Sequence, residues 1–358
     1  MLPNRRAVFQ GLLLSAAHAK ISLAQGFAGL GVEAGAFEQV VPGRVLAFPA
    51  DHGPHPRFRI EWWYVTANLH DETGTPYGLQ WTLFRQTMAA GKDVDGWASR
   101  QIWMGHAALT SANQHHFSER LARGGVGQAG VEAEPFHAWI DAWDMRGLEA
   151  MSTQTISPLA LTASANDFAF DLKLESSHSL VLQGDAGFSQ KSDKGQASYY
   201  YSQPFFNARG EIELAGKRVS VSGQAWMDRE WSSQPLASDQ KGWDWISLHL
   251  DSGAKLMLFQ LRQSDGKNYI SGKWIEVDGS SEVLATDGIV LTPIMQTSVN
   301  GRMLPTEWDI EIPSHGLKIK ITPLNPQSWM ATAIPYWEGP IRIQGSHLGV
   351  GYLEMTGY

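Results

Sequence analysis

The sequence predicts an almost all-β protein made of two similar halves. Three observations carry this. Short runs with an apolar residue at every second position recur along the chain, the spacing that turns one face of a strand inward. Gly, Pro, Asn and Asp punctuate these runs, and many short strands between such turns favour a sandwich or barrel. A Trp-bearing hairpin in the first half also has an echo in the second.

The hairpin is the clearest local element. Residues 63–69 read as a strand, 71–74 (Asp-Glu-Thr-Gly) as a turn, and 77–85 as the return strand. Segments 102–110, 168–174, 217–226, 243–250, 256–261, 269–277, 308–312, 317–321 and 347–355 read alike, and 168–174 alternates cleanly. Helical spacing is scarce; 116–122 is the one stretch expected to form a short helix. In the echo, Trp63 begins a strand that reaches Asp71 and Gly74 and returns through Leu83-Phe84-Arg85. Trp245 begins one that reaches Asp251 and Gly253 and returns through Leu258-Phe259 to Arg262. Each half closes on a Gly-aromatic strand, 223–227 and 351–355. So long a period means two domain-sized copies, not a solenoid. The boundary is expected in the polar stretch 232–240 around Pro235. This divides the chain into a leader at 1–24, a Gly/Ala-rich lead at 25–44, and domains at 45–232 and 233–358.

Composition narrows the function. Hydrophobic residues make up 43% of 358, enough for two cores, while charged residues are 18%, below the usual value of about 25%. With 36 Gly and 15 Trp, the chain suits tight turns and aromatic-lined cavities. A net charge of -8 with no long basic run argues against nucleic acid as a partner. The absence of Cys excludes disulfides, thiol nucleophiles, iron–sulfur clusters and lipoprotein acylation. Arg5-Arg6, the apolar stretch 11–17 and the small-residue exits 17–19 and 22–24 read as a secretory signal, with a twin-arginine character. The expected location is therefore periplasmic or secreted. The apolar stretch is shorter than the ~20 residues of a membrane span.

Several motifs fail on context. Residues 125–130 fit G-x-G-x-x-G, but a charged stretch precedes them where a dinucleotide site needs an apolar strand. There is no G-x-S-x-G elbow and no H-E-x-x-H. His115 and His116 are adjacent, so on a strand they point to opposite faces. No metal and no cofactor is expected.

Two clusters carry chemistry. In the first, His52, His55 and Glu61 stand with Trp63 where a loop enters a strand. His exchanges protons near neutral pH, and a carboxyl beside Trp is open to desolvation. The same groups could equally staple the loop across a barrel mouth. In the second, Trp226, Asp228, Arg229, Glu230 and Trp231 are followed by Trp243, Asp244 and Trp245. Charges among so many Trp must pair, bind a polar group or face water. One reading is an Arg229 network joining the two halves. The other makes an apolar-walled carboxylic acid a proton donor to an alkene. His106 in an apolar strand and Glu338 beside Trp337 are further candidates, and the Tyr199-Tyr200-Tyr201 run adds aromatic surface.

At these residues the sequence becomes recognisable. Segments 48–64, 226–231, 242–245, 336–339 and 351–358 resemble the AttH/carotenoid 1,2-hydratase family, many of whose members are described as secreted hydrolases. The resemblance spans nearly all of the chain after the leader. It implies an all-β fold of two tandem lipocalin-like β-barrel domains, with a ligand space in or between them. It also implies apolar substrates, since the family includes hydratases that add water to a carotenoid double bond, and fungal cyclases of similar architecture fold polyenes. The resemblance places an acidic segment at 228–231, where a His would assist proton transfer; this chain has Arg229, which stays protonated. That leaves Asp228, Glu230 and Asp244 as acids and Arg229 as a positioning residue.

Two functional classes follow. The first is an exported protein that binds a hydrophobic isoprenoid or lipid-like molecule and hydrates or isomerises it by acid catalysis. The second is a non-catalytic periplasmic lipid carrier or chaperone associated with an envelope transporter. The acids discriminate them. An acid facing an apolar cavity without a cationic partner favours catalysis, whereas acids all paired with Arg229 or Lys241 favour carriage.

Overall fold

A computed structural model describes residues 37–92, 94–234, 236 and 239–358. The leader at 1–24 and Pro235 of the expected boundary lie outside the described residues. The sequence-predicted hairpin is formed by Ile60–Asp71 and Pro76–Thr87. Asp71 organises its turn by accepting from the backbone N–H groups of Thr73 (2.9 Å) and Thr75 (3.0 Å), and Gly74 supplies the left-handed position at φ 82°.

Among the described residues, 13 strands between Ile60 and Ser232 form one sheet and 10 between Gln240 and Thr356 form a second. Both are wound alike. In the first, Ile60–Asp71 pairs antiparallel with the next strand, Pro76–Thr87, and with the last, Lys217–Ser232. In the second, Gln240–Leu250 pairs with Lys255–Gln263 and with the last strand, Gly349–Thr356. Each sheet curls into a near-closed, barrel-like domain, so the echo in the sequence is a repeat of topology. The closing glycines show why it is visible. A Cβ on Gly223 would stand 2.0 Å from the Asn68 carbonyl oxygen, and one on Gly351 would stand 2.1 Å from that of Ser247. In both halves the last strand passes the first too closely for a side chain.

Alternation then sorts each strand into two faces. Trp63, Val65, Ala67 and Leu69 enter the first core beside Trp81 and Trp143; Ile246, Leu248, Trp308, Trp337 and Leu353 fill the second. The opposite faces of the strands near each seam are not solvated. They press together across the two domains, sharing a cluster that includes Tyr64, Tyr200, Trp226, Trp245, Phe259 and Tyr352.

Two local features are settled by pairing. The segment expected to be helical at 116–122 lies within the strand His115–Arg123, hydrogen-bonded to Gln101–Ser111. Phe117 and Leu121, four apart, share a face in either geometry, and the neighbouring strand decides between them. The G-x-G-x-x-G segment is a turn running into the strand Ala129–Ala133, with no helix after it, so it forms no phosphate cradle.

Candidate functional site

The run 226–231 is divided by the strand itself. Trp226, Asp228 and Glu230 face the second barrel, while Met227, Arg229 and Trp231 face into the first. Likewise Trp62 and Tyr64 point outward and Glu61 and Trp63 inward. Of the outward groups, Trp62, Tyr64, Asp228 and Glu230 meet Trp243, Trp245 and Glu354 of the second barrel around an inter-barrel cavity of about 120 Å³. Its walls are largely aromatic, from Trp62, Tyr64, Phe84, Tyr200, Trp243 and Phe259.

Asp228 is buried on this cavity and has no ion pair among the described residues. Tyr200 donates to its Oδ2 at 2.6 Å, and Ser202 and the Trp226 indole N–H donate to Oδ1 at 2.5 and 2.6 Å. Burial pushes its carboxyl up to about 7, against these three hydrogen bonds. Tyr200 itself accepts from the Trp245 indole at 3.1 Å. Glu354, on the opposite wall, accepts from the Trp243 indole at 2.7 Å. Burial raises it to about 7, and nearby Asp228, Glu230 and Asp244 raise it as well. Glu230 differs: it is hydrogen-bonded by Ser198 and paired with Lys191 at 2.9 Å. Lys191 also lies 4.1 Å from the centre of the Phe259 ring.

From the cavity wall a polar chain crosses between the barrels. Tyr64 donates to Glu338 Oε1 at 2.5 Å. Burial holds the Glu338 carboxyl well above its ordinary range, with Glu354 adding to the shift. Its Oε2 is buried without a hydrogen-bond partner among the described residues, while the nearby Tyr336 hydroxyl acts on the same carboxyl and lowers its pKa against the effect of burial. Tyr336 lies 2.9 Å from His106 Nδ1, and His106 Nε2 lies 3.1 Å from Glu119 Oε1. Burial lowers the His106 pKa and favours the neutral ring. The His106 end of the chain is satisfied with Tyr336 donating to Nδ1 and Nε2–H donating to Glu119. His106 and Glu338, both singled out from sequence, are thus joined, but His106 lies behind the cavity wall.

Other sequence-predicted residues form a separate network inside the first barrel. Glu61 is fully buried between Arg85 and Arg229 and ion-paired with both. Against the cost of burial, the two guanidinium groups hold its carboxyl well below the usual range. Arg229 packs 3.8 Å above the Trp63 ring. His55 stacks on Trp231 at 4.0 Å and bonds Asp51 at 2.9 Å. His52 bonds Tyr201 at 2.6 Å, and burial lowers its pKa to about 3. These groups close the entry loop onto the barrel and do not line the inter-barrel cavity. Asp244 faces the second core, held by Arg262 (3.2 Å), Gln260 (2.9 Å) and Tyr358 (2.9 Å). Trp337 is in that core too, donating to the Pro326 carbonyl. Arg229 therefore partners Glu61 rather than Asp228 or the Glu230 carboxylate. The residues that sequence reasoning missed are Tyr64, Tyr200 and Glu354: each was part of a quoted motif, but Tyr64 and Tyr200 reach Asp228 through the pairing of their strands with Lys217–Ser232, and Glu354 through packing of the second barrel against the first. Among the described residues no three His, Asp or Glu side chains are grouped to hold a metal.

Comparison with known proteins agrees with this architecture. A family model described as AttH-like matches residues 39–358. The crystal structure of an AttH assignment from Nitrosomonas europaea is 33% identical and superposes with a TM-score of 0.78, covering 90% of this chain and 100% of that one. Kievitone hydratase from Nectria haematococca is 14% identical with a TM-score of 0.66, covering 90% and 96%. CghA, solved with Sch210972, is 11% identical with a TM-score of 0.56, covering 89% and 95%. At these two identities the likeness is one of fold. No curated protein matches the sequence significantly.

Proposed function

The chain belongs to the AttH-like family, and we propose that it is an exported protein that binds part of a hydrophobic, isoprenoid or lipid-like molecule between its barrels and hydrates or isomerises it by acid catalysis. The observation that carries this reading is Asp228: a buried acid on an aromatic cavity, without a cationic partner, and pushed up to about 7. The hydratase named among the fold neighbours is consistent with it, and the leader motif supports export.

The chemistry follows from the positions. Protonated Asp228 transfers its proton to one alkene carbon, directly or through Tyr200, whose lost proton Asp228 replaces. The π pair becomes the new C–H bond and leaves a cation on the other carbon. The faces of Trp62, Trp243 and Trp245 are suited to stabilise that cation. In hydration, water forms the C–O bond and gives up a proton to ionised Glu354. In isomerisation, Glu354 instead takes a proton from the adjacent carbon. Proton exchange between the two carboxyls restores the starting state. A cavity of about 120 Å³ has room for several waters or one end of an apolar molecule. Conversion of a polyene in ¹⁸O-labelled water tests this: hydration places the label in the product, and Asp228→Asn should abolish it. A carrier would return the ligand unchanged from both proteins.

A further inference from the structure

A second cleft, of about 570 Å³, opens at the other end of the barrel seam and is unused by the chemistry above. It flanks the same paired strands. Asp228 and Gln224 are four residues apart on Lys217–Ser232, roughly 13 Å at about 3.3 Å per residue. Its chemistry is the reverse of the first cavity. Arg209, Arg342, His70, Asn207 and Gln224 contribute to its lining, and no carboxylate side chain does. Arg209 is shared with Glu175; Arg342 is exposed and forms no ion pair among the described residues.

Directly behind Gln224 is an ammonium without a counterion. Lys255 is only 5% exposed and donates to Gln224 Oε1 at 2.9 Å, with the Phe205 ring centre 5.4 Å away. No carboxylate pairs with it among the described residues. Burial lowers it to about 8. Its cross-strand neighbour His249 is buried as well, with Nδ1 lacking a partner. A charge removed from water without an anion is costly, and a bound anion would relieve that cost. With Oε1 turned to Lys255, Gln224 keeps its NH₂ group as a donor.

We propose that this cleft is a binding site for a phosphate or carboxylate group, with Arg342 and Lys255 supplying the charge and Gln224 and Asn207 the hydrogen bonds. The site stands apart from the alkene chemistry and does not depend on it.

Calorimetric titration of the full chain with inorganic phosphate and diphosphate, against chloride at matched ionic strength, tests it. Flotation with phosphatidylglycerol or phosphatidylcholine vesicles forms the second arm. Saturable binding of the free anions identifies a small soluble ligand; binding confined to the anionic vesicles identifies a headgroup. In either case Arg342→Ala or Lys255→Met should weaken binding about tenfold, with Arg342→Ala keeping its thermal midpoint because the side chain is exposed. No saturable binding in either arm, or binding unchanged in both variants, overturns the proposal.

Discussion

The Tyr64 hydroxyl of the first barrel donates to Glu338 Oε1 of the second at 2.5 Å, joining residues 274 positions apart. The bond places a carboxyl in the dry seam, where the neutral form is favoured. Its folded pKa lies above its unfolded one, so the native state binds the extra proton. Stability from this group is full below the ordinary carboxyl range and is lost as pH rises toward the folded pKa. Glu338→Gln stays neutral while still accepting from Tyr64. The variant should therefore match the wild type within about 1 kcal/mol below the ordinary carboxyl range and exceed it increasingly as pH rises from there toward the folded pKa. Urea unfolding across pH checks this; an unchanged pH dependence in the variant would contradict it.

Asp228→Asn separates activity from stability. Loss of a general acid should lower turnover by about 10²–10⁴. The folded pKa of Asp228, near 7, is raised by burial above the ordinary 3.8. The wild type therefore loses stability as pH climbs from about 4 to 7, by a few kcal/mol on an order-of-magnitude scale. The Asn variant can keep its one oxygen toward Ser202 and the Trp226 indole and turn its NH₂ to donate to the Tyr200 hydroxyl oxygen, and it should be the more stable protein at pH 8. Equal stability at that pH would count against a strained acid at this position.

A donor acid and an acceptor carboxylate that both titrate near 7 give a bell-shaped rate profile centred near neutral pH. Trp243→Phe removes the indole donor from Glu354 and should push that carboxyl higher, moving the acid limb of the bell upward. A profile flat from pH 5 to 9 would remove both carboxyls from the mechanism.

The Glu61 network makes a contrasting prediction. Its folded pKa is depressed, so its stabilisation is present above the ordinary carboxyl range and lost as pH falls. Glu61→Gln leaves Arg85 and Arg229 buried without their carboxylate. It should cost about 3–5 kcal/mol at pH 7, with the gap to the wild type narrowing in acid. Denaturant midpoints at pH 7 and pH 3 measure both effects.

Much of the fold was legible because its signals are local. The hairpin at 60–87 has an Asp–Gly turn, and Gly223 and Gly351 mark matching close approaches in the two halves. The site was only partly legible. Asp228 stood out as an acid among Trp, and strand alternation already places it opposite Arg229. Treating 226–231 as one cluster obscured that division. Tyr64 and Tyr200 reach Asp228 through long-range pairing of their strands with Lys217–Ser232, and Glu354 through packing of one barrel against the other; no short-range pattern exists for either. Asp244 reads like a second catalytic acid until Arg262, brought alongside by the neighbouring strand, is seen to hold it in the core.

Mass spectrometry of lipids extracted from the wild type and from Asp228→Asn, each purified from the cells that make it, tests the central claim most directly. The account predicts an apolar alkene on the variant. The wild type should carry that molecule heavier by one water, or as a double-bond isomer separable by chromatography. The same unchanged lipid on both proteins would contradict catalysis at Asp228, and no apolar molecule on either would contradict the inter-barrel cavity as a hydrophobic site.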